Sequence, residues 1–319
     1  MIAVLCGGVG AARFLAALAH VVAPSETVGI VNTGDDTVLH GLAISPDLDT
    51  VTYTLADAID GARGWGLANE SWTAMEALQR YASVRPSYSS AAPTWFNLGD
   101  RDLATHFYRT ARLAEGATLA DVTAEICSAW GVQQRLVPMS DQRVSTIVTL
   151  ADGDDVSFQE YFVKLHHDVA VSAVRFDGAA VATLTSGVDN VLASSDCVLI
   201  APSNPIVSIG PIRAINGVDA LLAARRSSVV AISPIVGGLA LKGPADRMMT
   251  ELGHDASVVG VARMYAPIAG TLVIDPVDEH LASAVEDEGM TAVVTASVMS
   301  TPEIGAELAR VALAAASRQ

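Results

Sequence analysis

The 319-residue chain is poor in aromatic side chains (5%), in cysteine (three residues) and in charge (17% Asp, Glu, Lys and Arg), and poorest of all in basic charge, with 19 Lys and Arg against 35 Asp and Glu. Each shortage excludes something. A net charge of −16 repels phosphodiester backbones and anionic lipid, and the longest basic run, Arg225-Arg226, is too short to reverse that locally. Neither nucleic acid nor a membrane surface is therefore expected as a partner. No apolar run reaches the roughly 18 residues of a membrane span, and the apolar N-terminal stretch lacks the basic flank of a signal peptide. Cys6, Cys127 and Cys197 are widely spaced and form no C-x-x-C pair, so they are expected as reduced, buried thiols of a cytoplasmic protein. What is abundant is apolar: 51% of the residues, carried by Ala and Val. That is the composition of a packed α/β enzyme and not of a disordered chain.

The order of the apolar runs predicts the architecture. Ile2–Cys6 is followed by Gly7-Gly8-Val9-Gly10 and by helix formers over 11–19, and a second apolar run lies at 28–32. This reads as a βαβ unit whose parallel strands are covered on both faces. Further strands are expected near 144–150 and 169–176, then at 197–201, 229–233, 270–275 and 291–295, with the sheet continuing through all of them and a closing helix over 303–316. Between 51 and 139 the periodicity is helical, at 71–82, 100–113 and 118–130. A Pro/Ser-rich stretch at 84–93 reads as a surface loop or lid. The expected fold is α/β: a Rossmann-like open, mainly parallel sheet with helices on both faces. It makes a single catalytic unit over 1–319 with a helical insert at about 51–139.

In such sheets ligands bind beyond the carboxyl ends of the strands. The turn Gly7–Gly10 offers backbone amides at a helix N-terminus, with Arg13 close by, as a cradle for phosphate; the same glycines also suit plain strand–helix packing. A dinucleotide fingerprint fails, because its third small position holds Arg13 and the second strand ends in Asn32 where an acid is required. Walker A fails for want of a Gly-Lys-Ser/Thr. Asp35 and Asp36 are followed by His40 and then by Asp47 and Asp49. Four carboxylates so close in sequence ask for a cation, and hard oxygen ligands suit Mg²⁺, although Asp47 and Asp49 also stand where a helix from about residue 50 would be capped. Asp100 is a cap candidate, while Asp102 and His106 share a helix face at i, i+4, as ordinary solvated pairs also do. Lys242 to Asp246 faces a phosphate or simply starts a helix. His166-His167 lacks the spacing that zinc needs, and no nucleophile elbow is present.

The ordered blocks Gly7–Gly10, Asn32–Asp36, Pro46–Thr50, Leu98–His106, Pro138–Asp141, Pro202–Pro205 with Ser208–Pro211, and Ser233–Gly237 with Lys242–Asp246 resemble the 2-phospho-L-lactate transferase family, the CofD/FbiA group of coenzyme F420 biosynthesis. The resemblance implies a Mg²⁺-dependent transferase in a cytoplasmic homodimer. It would move a three-carbon phospho-acid group (2-phospholactate, phosphoenolpyruvate or 3-phosphoglycerate) from its guanosine-diphosphate ester to the ribityl hydroxyl of the deazaflavin Fo, releasing GMP. It further implies that Gly7, Gly8, Val9, Gly10, Arg13, Ser203, Asn204 and Lys242 hold the donor's phosphates and guanosine. Asp35, Asp36 and Asp49 would be catalytic, Asp35, Asp36, Asp47 and Asp49 would hold the metal, and Asp49, Asn97, His40 and Asp100 would meet the deazaflavin. No residue separates the three donors. The alternative is a non-catalytic nucleotide-sugar-binding regulator of carbon metabolism with the same fold, against which the Asp47-Leu-Asp49 and Gly99–Asp102 blocks stand.

Overall fold

Ile2–Cys6 (β1) is buried along its whole length, as an apolar run without alternation must be when both faces are covered. In the computed structural model, which describes residues 1–317, it is followed by α1 (Gly8–Leu18), β2 (Thr27–Val31), the hairpin β3 (Thr37–Leu39) and β4 (Leu42–Ile44), and α2 (Pro46–Leu55). Then come α3 (Thr73–Ala82), α4 (Asp102–Ala114), α5 (Leu119–Ala129) and β5 (Arg135–Pro138). The strands β6 (Ser145–Leu150), β7 (Asp155–Ser157) and β8 (Val171–Asp177) precede α6 (Val188–Ser194) and β9 (Cys197–Ile200). The remainder is α7 (Gly210–Ala214), α8 (Val218–Ala224), β10 (Val229–Ile232), a short hairpin β11 (Ile235–Val236) and β12 (Leu239–Ala240), α9 (Ala245–Glu251), α10 (Val258–Tyr265), β13 (Thr271–Ile274), α11 (Ala282–Asp287), β14 (Thr291–Val294) and α12 (Pro302–Ala316).

Seven strands form one parallel sheet in the order β14-β13-β10-β9-β1-β2-β5. Successive residues of β1 feed opposite sides of it, as the two-residue repeat of a strand dictates. Ile2, Val4 and Cys6 join a core with α1 and α12; Ala3 and Leu5 join a second core with α6, α9 and α10. Helices thus cover both faces, and β1, β2 and β9 lie in the middle, where the order of strands reverses and a crevice is expected.

Two expectations need correction. The strands at 145–150 and 171–177 do not continue the central sheet: with β7 they form a separate antiparallel layer. The side chains of β6 alternate between buried and half-buried, the pattern of a strand with one covered face, which a doubly covered parallel sheet does not tolerate. The helical insert is also narrower than 51–139. The helix α2 lies on α1, α5 lies on β5, and β5 is the edge strand of the central sheet. Helical periodicity is the same for a helix that covers a sheet and for one that stands apart, so it could not place that boundary. All three cysteines are buried and free, and among the described residues no helix is long and apolar enough to cross a membrane.

Gly10 marks the closest approach of α1 to the chain beyond β9. A Cβ there would stand 2.3 Å from the Pro202 carbonyl oxygen, and backbone cannot swing aside as a flexible side chain does. Gly10→Ala is expected to lower the unfolding free energy by about 1–3 kcal/mol, read as a lower urea midpoint; an unchanged midpoint would refute the packing argument.

Candidate functional site

The chain beyond β1, β2 and β9 converges on one place. Asn32 Nδ2 donates to Asp47 Oδ2 at 2.9 Å and Ser203 Oγ donates to the Gly7 carbonyl at 2.9 Å, which ties three loops together. The helix α1 starts at Gly8, whose φ of +73° suits glycine. Its N-terminus is not empty: the Gly8 amide faces Asp47 and favours its charged form, and Gly7 approaches so closely that a Cβ there would lie 2.6 Å from Asp47 Oδ2. The expected anion cradle therefore already holds one of the protein's own carboxylates. Burial pushes Asp47 up to about 6, with Asn32 and the Gly8 amide acting the other way.

Other donor-side residues gather unevenly. Lys242 Nζ lies 2.6 Å from where a Cβ on Gly64 would stand, and Val9 Cγ1 lies 3.5 Å from the same point, so the lysine and the Val9 side chain both lie beside Gly64. Arg13 is exposed on α1. Ser203 and Asn204 spend their side chains within the fold: besides the Ser203 bond to Gly7, Asn204 Oδ1 accepts from the amides of Ile206 and Val207 at 2.9 and 3.3 Å, closing an Asx turn.

The acids divide into two sets. Asp35 and Asp36, just beyond β2, line a cavity of about 80 Å³ with Arg143, Ser145, Thr146 and Gln159. Ser45 Oγ donates to Asp36 Oδ2 at 2.7 Å, yet Asp35 Oδ1 and Asp36 Oδ1 are buried with no hydrogen-bond partner. Burial pushes Asp36 up to about 8, against the pull of Ser45 and Arg109. It holds Asp35 well above the usual carboxylate range, and Asp47 adds to that.

Asp49 stands elsewhere. Helix α2 begins at Pro46, earlier than the expected residue 50, so Asp47 and Asp49 project from its first turn and point in different directions. Asp49 is gripped by both terminal nitrogens of Arg109, with Nη1 at 3.1 Å. His106 lies between, its Nδ1 3.8 Å from Asp49 and its Nε2 3.3 Å from Asp102, and the Tyr53 hydroxyl donates to Asp102. Asp49, Asp102 and His106 bring ligand atoms within 4.8 Å of one another, but the guanidinium already supplies the positive charge. Of the four carboxylates, Asp49 pairs with Arg109 and Asp47 accepts from the Asn32 amide, whereas Asp35 and Asp36 each keep an oxygen without a partner. The Asp102–His106 pair is an interior pair and not a solvated one, because α4 turns it toward α2.

Asp100 is corrected as well. Its carboxylate accepts from Ser71 Oγ and from the amides of Thr73 and Ala74 at 2.9 and 3.0 Å, capping α3 and not its own helix. In return Glu70 accepts from the amides of Arg101 and Asp102 and caps α4. Asn97 is exposed. His40 (φ +55°) and Gly41 (φ +77°) form the tight turn between β3 and β4, a left-handed pair that matches hairpin twist. Burial lowers the pKa of the His40 ring, with the Pro93 backbone acting the other way.

Arg109, Glu70, Thr146 and Gln159 were not foreseen. Only Arg109 left a signal, since Asp102, His106 and Arg109 fall at i, i+4 and i+7 and make one polar stripe down a helix.

Comparison with known proteins gives the family. The family described as 2-phospho-L-lactate transferase CofD matches residues 2–309. A protein named phosphoenolpyruvate transferase from Kitasatospora aureofaciens is 42% identical over 99% of this chain and 98% of its own. Another of that name from Mycobacterium sp. (strain JLS) is 37% identical over 97% and 96%. A crystal structure of a Bacillus halodurans protein aligns with a TM-score of 0.62 over 98% of both chains at 12% identity, a likeness of fold alone. With a matching family that spans nearly the whole chain and relatives well above 30% identity along their full length, the chain belongs to the 2-phospho-L-lactate transferase family.

Proposed function

We propose that this protein transfers the enolpyruvyl phosphate group from its guanosine-diphosphate ester to the terminal ribityl hydroxyl of the deazaflavin Fo, releasing GMP and forming dehydro coenzyme F420-0. The observation that carries the reading is the near full-length identity to relatives named phosphoenolpyruvate transferase, which also favours the enolpyruvyl donor over the phospholactyl and phosphoglyceryl ones. A cytoplasmic homodimer belongs to the same reading through the family.

The chemistry asks for positioning and charge neutralisation, and no covalent nucleophile is needed. The ribityl oxygen bonds to the phosphorus that carries the enolpyruvyl group, the bridging P–O bond to GMP breaks, and the hydroxyl proton passes to a carboxylate. Lys242 Nζ, which lies beside Gly64 as the Val9 side chain does, and the exposed Arg13 suit the diphosphate. The pocket fits Mg²⁺: two carboxylate oxygens and the hydroxyl of Thr146 are buried there without partners, a hard-oxygen donor set. Asp35 and Asp36 would hold the ion, and when bound it would offset the negative charge of the diphosphate.

The test is to mix the protein with Fo, Mg²⁺ and each of the three guanylylated donors and to follow the conjugate and GMP by mass spectrometry. The enolpyruvyl donor should give product and equimolar GMP, and chelation of Mg²⁺ should stop both. No conjugate from any donor would overturn the reading in favour of the regulator.

A further inference from the structure

Thr146 lies in β6, in the antiparallel layer, 111 positions from Asp35. Its backbone N–H donates to the Gly34 carbonyl at 2.7 Å, and Gln159 Nε2 donates to the Asp35 carbonyl at 3.3 Å. Between Thr146 and the start of α7 the loop has no slack: a Cβ on Gly34 would stand 2.7 Å from Thr146 Oγ1 and 2.8 Å from Pro211 Cβ. The layer therefore clamps the backbone that carries Asp35. Thr146 is 2% exposed and its side chain lies against the Asp35 carboxyl. Even so, Thr146 Oγ1 and Asp35 Oδ1 both lack a hydrogen-bond partner, as does Asp36 Oδ1, and all three residues line the one cavity.

Buried polar atoms are almost always partnered, and a group of open ones in a single pocket marks a place where something else binds. All three atoms here are oxygens, two of them on carboxylates. A donor hydroxyl could satisfy one carboxylate oxygen at most, whereas a hard cation draws several oxygens at once. We infer that Thr146 Oγ1 joins the Asp35 and Asp36 carboxylates as a ligand of a divalent cation, so that the antiparallel layer supplies part of the metal site and fixes its position relative to β2. The inference rests on the Mg²⁺ reading above and adds to it a ligand from a separate layer of the fold.

The test uses the full chain without nucleotide or acceptor and Mn²⁺ as the probe, with bound ion measured by loss of the free-ion EPR signal and reversed by Mg²⁺. Thr146→Val keeps the shape and removes the oxygen; it should raise the Mn²⁺ dissociation constant about 10–100-fold. Thr146→Ser, which keeps the oxygen, should bind as the parent does. Thermal melting reports whether each variant is folded, and Thr146→Ala serves if the valine variant is not. Parent-like Mn²⁺ binding in a folded Val or Ala variant, with binding lost in Asp35→Asn, would overturn the role of Thr146 and leave the Mg²⁺ reading standing. Absence of Mn²⁺ binding by the parent protein would overturn both.

Discussion

Arg109→Ala is expected to remove about 3–5 kcal/mol of unfolding free energy, because it leaves a buried carboxylate without its counter-charge. Asp49 is 5% exposed and Arg109 2%, so water cannot replace the lost guanidinium. The remaining neighbour on that side, His106, is itself shared with Asp102. The lost packing of the arginine stem adds to the cost. Urea denaturation measures the effect, and a loss below about 1 kcal/mol would refute the argument, that being the range of an exposed ion pair. The double variant Asp49→Asn with Arg109→Met separates charge from packing. Removing both charges should cost less than removing one, since the penalty lies in the orphaned ion and not in a large net value of the pair. For the same reason, loss of activity in Asp49→Ala would trace first to the fold of α2 against α4.

Asp36→Asn should behave in the opposite way, with the fold intact and the reaction lost. Its Oδ2 accepts from Ser45, a bond that an amide oxygen can also accept. Burial has pushed the carboxyl up to about 8, so the fold disfavours its charged form and a neutral amide replaces it at little cost in stability. What asparagine cannot supply is a charged oxygen for the cation. A fall in kcat of at least roughly 10–100-fold is expected, with the thermal midpoint near that of the parent. Parent-like kcat in the folded variant would remove Asp36 from the ligands of the cation.

Much of this was legible along the chain, and the failures share a cause. Ile2–Cys6 and Cys197–Ile200 read as strands because an unbroken apolar run has one common solution, and the helices of 73–82, 102–114 and 119–129 read as helices because their apolar stripe repeats at the helical period. Residues close in sequence could be assigned to one loop, as Asp35 and Asp36 were. Partners across the chain could not. Asp49 meets Arg109, Asp100 meets the amides of Thr73 and Ala74, and Asp35 meets Thr146, and in none of these does spacing carry the information. Asp47 and Asp49 are two positions apart, which on a strand would put them on one face. On the first turn of α2 it sends one to the glycine turn and the other to α4.

The strand order also sets a timetable. The neighbours of β1 are β2 and β9, with Ile2 opposite Thr27 on one side and Cys197 on the other. At about 5–20 residues per second of synthesis, the second of these leaves the ribosome roughly 10–40 s after the first strand. For that interval the edge of β1 that will receive β9 is an unpaired row of amides and carbonyls beside apolar side chains, a template for any other extended chain. A nascent chain halted before residue 197 keeps that edge open, and so is expected to depend on chaperones and to aggregate when it is released without them.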